Sequence, residues 1–209
     1  MIEQGSAEWL AQRLGKVTAS RIGDLMARTK TGYGASRANY AAQLVAERLT
    51  GASEPSYTSK EMQWGTEQEP FARDAYAFVR DHDVELAGFH EHPLIPMSGA
   101  SPDGLVGSDG LVEIKCPNTA THIETLVSGT IAGKYLLQMQ WQMACTERQW
   151  CDFVSFDPRL PPSMQLWVKR VPRDDAKIAE IAQEVRSFLS EVEATVATLR
   201  RLYEPAEAA

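Results

Sequence analysis

Cysteine is scarce in this chain of 209 residues: Cys116, Cys145 and Cys151 are the whole set, and no CxxC pair occurs among them. An odd number of widely spaced thiols argues against a disulfide framework, so reduced cysteines packed as small apolar side chains are expected. Long apolar runs are missing too, and none approaches the roughly 20 residues needed to span a bilayer. The opening segment MIEQGSAEWLAQR lacks the basic start, apolar stretch and small-residue cleavage site of a secretion signal. A cytoplasmic protein with no membrane partner is the expectation. Histidines number four. His90 and His92 in HEH share one strand face, which is the beginning of a zinc site, but no further Cys or His stands at metal spacing, so packing histidines are expected. Basic charge is in deficit, with 21 Lys and Arg against 28 Asp and Glu, a net charge of −7. That balance argues against coating nucleic acid over the whole surface. It leaves room for a protein that grips nucleic acid in a basic groove or pore.

What is present reads as one ordinary globular domain over residues 1–203, with 44% hydrophobic and 23% charged residues and no internal repeat. A short helix is expected over SAEWLAQRLG, with Ser6 as its cap and Gly15 as its stop. A second opens at Thr18, and a third runs from Ser36 to just before Gly51. GASEPSYTS reads as loop. A long helical pattern follows over KEMQWGTEQEPFARDAYAFVRDH, which Pro70 should kink or restart. From Val84 the period becomes strand-like, in short hairpins, with Asp109-Gly110 as a tight-turn signal. THIETLVSG and KYLLQMQWQMACT are helical again, WCDFVSFDP and SMQLWVKRV are strands, and Asp174 to about Tyr203 is one amphipathic helix. Residues 204–209 read as a frayed tail. The order of elements predicts an α/β fold, a small mixed central sheet flanked by helices.

The chemistry concentrates in ASPDGLVGSDGLVEIKC, Ala100 to Cys116. Residues i and i+2 of a strand point the same way, so Glu113 and Lys115 share one face while Val112, Ile114 and Cys116 share the other. Two ionised groups on a mostly covered strand are costly unless paired or bound to something. Asp103 lies at a bend ten residues before Glu113, and a hairpin of that length brings the two carboxylates together. Neighbouring carboxylates repel unless they share a proton or hold a cation. Oxygen ligands with open water positions suit Mg²⁺, with Mn²⁺ as a substitute. Lys115 beside such an ion would orient a water or stabilise developing negative charge. The bland alternative is a turn aspartate plus a surface Glu/Lys pair on an edge strand.

The pattern P-D-x9-E-x-K resembles the signature of the PD-(D/E)xK nucleases. RLGKVTAS, WGTEQE, SPDG, EIKCP and LQMQWQM occur around it in that order. Together they resemble the YqaJ-type viral recombinase nucleases, the family of the phage lambda exonuclease, over about Glu3 to Tyr203. The resemblance implies a restriction-endonuclease-like core and a Mg²⁺-dependent 5′→3′ exonuclease on linear double-stranded DNA. Such an enzyme releases 5′-mononucleotides and leaves 3′ tails for phage or prophage recombination. It implies Asp103 and Glu113 as metal-binding acids, the Ile114 carbonyl as a backbone ligand and Lys115 as the catalytic lysine. Glu69 is implied as a further active-site acid, and Gln138 as a glutamine near the attacking water, with Gln140 and Gln142 as competitors for that place. Arg13, Ser20 and Ser101 would hold the 5′-phosphate, and Met62 would wedge the strands apart. The implied partners are DNA ends, a single-strand-annealing recombinase and two further copies in a homotrimeric ring. Where the phage lambda exonuclease carries a basic residue shortly after its Cys-Pro, Asn118 to Thr121 are neutral, so DNA contacts there should be weaker or differently placed. An endonuclease of the same superfamily and a catalytically silent DNA-binding module are the rival readings.

Overall fold

The computed structural model describes residues 4–30, 32–53 and 59–204. The N-terminal part is helical: α1 (Ala7–Arg13), β1 (Val17–Thr18), α2 (Ile22–Leu25), the hairpin β2 (Arg28–Thr29) and β3 (Gly32–Tyr33), α3 (Ala35–Thr50) and α4 (Lys60–Arg80). Short strands follow: β4 (Val84–Glu85), β5 (His90–Glu91), β6 (Ser98–Ala100), β7 (Gly104–Val106) and β8 (Gly110–Lys115). Then come α5 (Thr119–Ser128), α6 (Gly133–Thr146), β9 (Trp150–Phe156), β10 (Leu166–Pro172) and α7 (Asp175–Tyr203).

The central sheet has five strands in the order β10-β9-β8-β7-β4. Within this sheet, among the described residues, only β8 and β9 pair in parallel, with Glu113 beside Phe153 and Lys115 beside Ser155. The connection between them carries α5 and α6 across the sheet, as a parallel pair requires. A smaller sheet has the order β1-β6-β5. Ser101-Pro102-Asp103 joins β6 of the small sheet to β7 of the large one. This is the mixed sheet with flanking helices of the PD-(D/E)xK class.

Strand alternation sorts β8 as its sequence requires. Val112, Ile114 and Cys116 pack with Ala72 and Tyr76 of α4 and with Val154 and Phe156. Leu111 packs oppositely, with Met139 and Met143 of α6, Cys151 and Phe153. The third cluster joins α7 to α3 and α6. Ile178, Ile181, Val185, Phe188, Val192 and Val196 recur every three or four residues and meet Tyr40, Leu44 and Trp141. All three cysteines are free and buried, and burial pushes the Cys116 thiol up to about 12. No described helix is long and apolar enough to cross a membrane.

Several elements differ from the sequence expectation. Thr18 starts no α-helix: it pairs with Gly99 in the small sheet, its amide donates to the Tyr40 hydroxyl at 3.0 Å, and a 3-10 turn over Ala19–Arg21 precedes α2. The third helix begins at Ala35 behind Gly34, and Ser36 reaches instead for the Asp24 carbonyl at 3.5 Å. Pro70 does not restart α4, which runs as one helix past it, because Ala72 and Tyr76 beyond it bury themselves on the sheet. The hairpin between β7 and β8 exists, but its left-handed residue is Gly107, with φ of 54°. Gly110 is a strand residue, where a Cβ would stand 2.1 Å from the Trp150 ring. His92 stacks on Trp141 with centroids 4.7 Å apart. Its Nδ1 accepts from the Leu94 amide at 3.1 Å, which makes it a packing residue. Of the expected loop Gly51–Ser59 and the expected tail, residues 54–58 and 205–209 lie outside the described residues.

Candidate active site

The register of β7 on β8 sets Gly104 opposite Val112, so one step outward Asp103 faces Glu113. Both are withdrawn from water, Asp103 at 9% exposure and Glu113 at 0%. Asp103 is fixed by the Ile114 amide, which donates to its Oδ2 at 2.7 Å. Burial raises the Asp103 carboxyl well above the usual range, and the neighbouring Glu113 adds to it, against the pull of Lys115. Two acids that repel in a dry site make a place for positive charge.

Lys115 supplies one such charge. Its ammonium pairs with Glu113 Oε1 and donates to the Ile114 carbonyl at 3.2 Å. It also lies 5.5 Å from the Tyr135 ring centroid. Burial works to lower its pKa, but Glu113 and Asp103 outweigh that and raise it. The ammonium thus stands on two of the oxygens that the family resemblance assigns to a metal ion.

α6 holds Glu113 from the other side. Gln138 donates to Oε1 at 2.6 Å and Gln142, one turn further on, donates to Oε2 at 2.6 Å. Gln138 is therefore at the site, and the competition among the three glutamines resolves as a pair. Gln140 turns away, donating to the Pro172 carbonyl at 2.9 Å. Gln142 is a residue that motif reading left as a mere alternative; the signal was its i, i+4 spacing from Gln138.

Glu69 comes in from α4. Burial raises its pKa, and it feels Arg73, Lys115 and Glu113, which places it beside the same cluster. Arg73 pairs with Glu69 Oε1, and its Nε donates to the Asp103 carbonyl at 3.3 Å. Arg73 was not singled out from the sequence. It sits four residues after Glu69, one helical turn, and that spacing was legible.

A second cluster lies two residues upstream of Asp103. Ser101 Oγ accepts from Trp9 Nε1 at 3.0 Å and from Arg13 Nη1 at 3.3 Å. The Arg13 guanidinium lies 3.9 Å over the Trp9 ring. A hydroxyl that accepts two bonds keeps its own hydrogen to donate. Burial lowers the Arg13 pKa to about 10, with Tyr40 and Glu47 opposing. Ser20 is exposed and its side chain meets Thr18 Oγ1 at 3.5 Å, so no bond joins it to Arg13 or Ser101. Met62 is 57% exposed on the first turn of α4, free of the core.

The residues that would hold a metal ion are all oxygen donors: Asp103, Glu113 and the Ile114 carbonyl. Among the described residues no group of three or more His, Cys, Asp or Glu side chains is arranged to hold one. Two carboxylates and a carbonyl fit an ion that keeps several waters, which is the habit of Mg²⁺, and do not fit the closed nitrogen and sulfur sites of zinc.

Residues 8–149, which carry most of this site, match the YqaJ-like viral recombinase domain. The chain belongs to the YqaJ-like viral recombinase family. This YqaJ-like chain is similar in structure to the alkaline exonuclease LHK-Exo from Laribacter hongkongensis, with 55% identity and a TM-score of 0.89 over 94% of this chain and 97% of that one. The complex of LHK-Exo with dAMP matches equally, with 56% identity and a TM-score of 0.89 over 94% and 97% of the two chains. A phage-related exonuclease from Haemophilus somnus 129PT shares the fold, with a TM-score of 0.70 at 16% identity over 88% of this chain and 96% of that one. No curated protein sequence matches the chain.

Proposed function

We propose that this YqaJ-like protein is a Mg²⁺-dependent 5′→3′ exonuclease on linear double-stranded DNA, with Mn²⁺ as a substitute ion. One observation carries the reading. A charged hydrolytic cluster around Asp103, Glu113 and Lys115 stands two residues along the chain from an anion grip made by Arg13 and Ser101. The likeness to LHK-Exo, an alkaline exonuclease crystallised in complex with dAMP, supports it.

The chain's residues divide the work. Arg13 and the free Ser101 hydrogen grip a terminal 5′-phosphate, and Ser20 adds a hydroxyl at the rim. A bound Mg²⁺ would polarise the scissile phosphate and lower the pKa of a water. Asp103, Glu113 and the Ile114 carbonyl would hold it, with Gln138 and Gln142 fixing the Glu113 carboxylate. Lys115 holds a proton donor at the place where oxyanion charge grows, on the cluster's open side. Glu69, tied to Arg73, orders that side. Met62, exposed near the start of α4, is the wedge between strands.

The wider reading is a cytoplasmic enzyme of phage or prophage recombination, working with a single-strand-annealing recombinase. It acts as a homotrimeric ring threaded by its substrate. Phe71, Phe78 and Val79 on α4 are exposed at 62%, 89% and 62%, an apolar face that a neighbouring copy would cover. The decisive test is linear duplex labelled differently at each end, digested with and without Mg²⁺, beside a covalently closed circle. Mononucleotides from the 5′ ends and an intact circle are expected. First release from the 3′ ends, or cutting of the circle, would overturn the polarity or the end requirement.

A further inference from the structure

Arg159 lies on the loop between β9 and β10, far in sequence from every motif, and yet stands beside the active strand. Its Nη2 donates to the Pro117 carbonyl at 3.1 Å, two residues beyond Lys115. Its guanidinium lies 4.5 Å over the ring of Trp64, on the helix that carries Glu69. Asp157 holds it from below, with Nε to Oδ1 at 2.6 Å and Nη2 to Oδ2 at 3.0 Å. Asp157 is fully buried while the Arg159 side chain is 43% exposed.

The pair is therefore not an ordinary surface bridge. The acid is sunk in the protein and fixes the plane of the guanidinium. The indole covers one face of that plane. Nε and Nη2 are used within the protein, and among the described residues Nη1 has no acceptor. The Trp64 indole nitrogen is buried without a hydrogen-bond partner, so stacking rather than a bond of its own orients the ring against Arg159. A planar, pre-oriented guanidinium with both Nη1 hydrogens left over can donate to a phosphate oxygen. It also brings a cation close to a stretch, Asn118 to Thr121, that carries no charge of its own.

We infer that Arg159, on its Trp64 platform, is a backbone-phosphate contact that positions the DNA strand beside the cleavage centre. This rests on the nuclease reading above and adds a residue to it. Arg159 touches no reacting atom, so its loss should weaken DNA binding more than turnover at saturating DNA.

The test is equilibrium binding of a fluorescent 5′-phosphorylated duplex with a 3′ overhang, in EDTA so that no cleavage occurs, over a range of salt. The variant is the double change Asp157→Asn with Arg159→Gln, which leaves the net charge of the pair at zero and no buried acid unpaired. Losing one phosphate contact should make the slope of log affinity against log salt shallower by about 0.9. An unchanged slope and affinity in the folded double variant would overturn the contact. Should that variant not fold, Arg159→Lys keeps the partner for Asp157 but loses the planar guanidinium and its free Nη1 donors. It should bind several-fold more weakly at equal melting temperature, and wild-type affinity would overturn the contact. Wild-type protein that binds no DNA in EDTA and digests none with Mg²⁺ would overturn the nuclease reading and this contact with it.

Discussion

Gln142 donates its side-chain amide to Glu113 Oε2 at 2.6 Å while its own Oε1 stays buried without a partner. A polar group left unsatisfied in the core costs stability, so the residue is kept for what its nitrogen does. Replacing it with leucine should remove the grip on Glu113 and the orphaned oxygen together. Gln142→Leu should therefore lower turnover by roughly 10- to 100-fold, as outer partners of metal ligands do, while the lost orphan oxygen and the lost donor to the buried Glu113 Oε2 act in opposite directions on melting temperature. Digestion rates of linear duplex beside thermal melts check it. Wild-type turnover in that variant would show that Gln138 suffices.

Asp103 and Glu113 set two mutually repelling carboxyls in a dry site. Burial and Glu113 both work against an ionised Asp103. Asp103→Asn should abolish Mg²⁺-dependent digestion and leave the metal-free melting temperature equal or higher. Glu113→Ala should abolish it too, with the fold retained. Substantial digestion by the folded Glu113→Ala protein would remove the proposed centre. A large fall in melting temperature for Asp103→Asn would make that acid structural.

Arg13 is held on Trp9 and Ser101 and has no bond to Asp103, Glu113 or Lys115 among the described residues. Arg13→Ala should erase any preference for phosphorylated over hydroxyl 5′ ends, and should slow a pre-positioned single cleavage much less. Competition between the two kinds of end measures this. An unchanged preference would take Arg13 out of the pocket.

His92 predicts a pH dependence of stability. Burial holds its imidazole below the ordinary range, with Arg186 and Arg173 adding to the effect. The unfolded chain then takes the proton first as pH falls below about 6.5. Stability from this group is present above that pH and lost as pH falls through the lowered folded value. Melting temperature should fall between pH 8 and 5. His92→Phe, which keeps an aromatic ring to stack on Trp141, should shrink that fall. His90, lowered by burial in the same direction, leaves a remainder. An undiminished fall in His92→Phe would place the dependence elsewhere.

The proposed ring predicts a mass. Light scattering should give three copies, and a single-turnover digestion under excess competitor should give long tracts per binding event. A monomer that stops after a few nucleotides would refute the ring and leave the cleavage chemistry standing.

The sequence by itself determined much of this protein, because much of it is local. Strand alternation alone puts Glu113 and Lys115 on one face and Val112 and Ile114 on the other. The three- and four-residue recurrence from Ile178 to Val196 writes out the buried stripe of α7. The spacing of Asp103, Glu113 and Lys115 places the acids across a hairpin. What only the tertiary structure decided depends on contacts between distant segments. Pro70 has a breaker's signature, but the burial of Tyr76 against β8 carries α4 through it. Asp109-Gly110 has a turn's signature, but Gly110 is a glycine because the Trp150 ring occupies the place of its Cβ. Which glutamine meets Glu113 depends on the rotation of α6 over the sheet, and that rotation selects Gln138 and Gln142 together while sending Gln140 to Pro172. Arg159 has no local signal, since its neighbours Trp64 and Pro117 come from elements that meet only when β9 and β10 close beside α4.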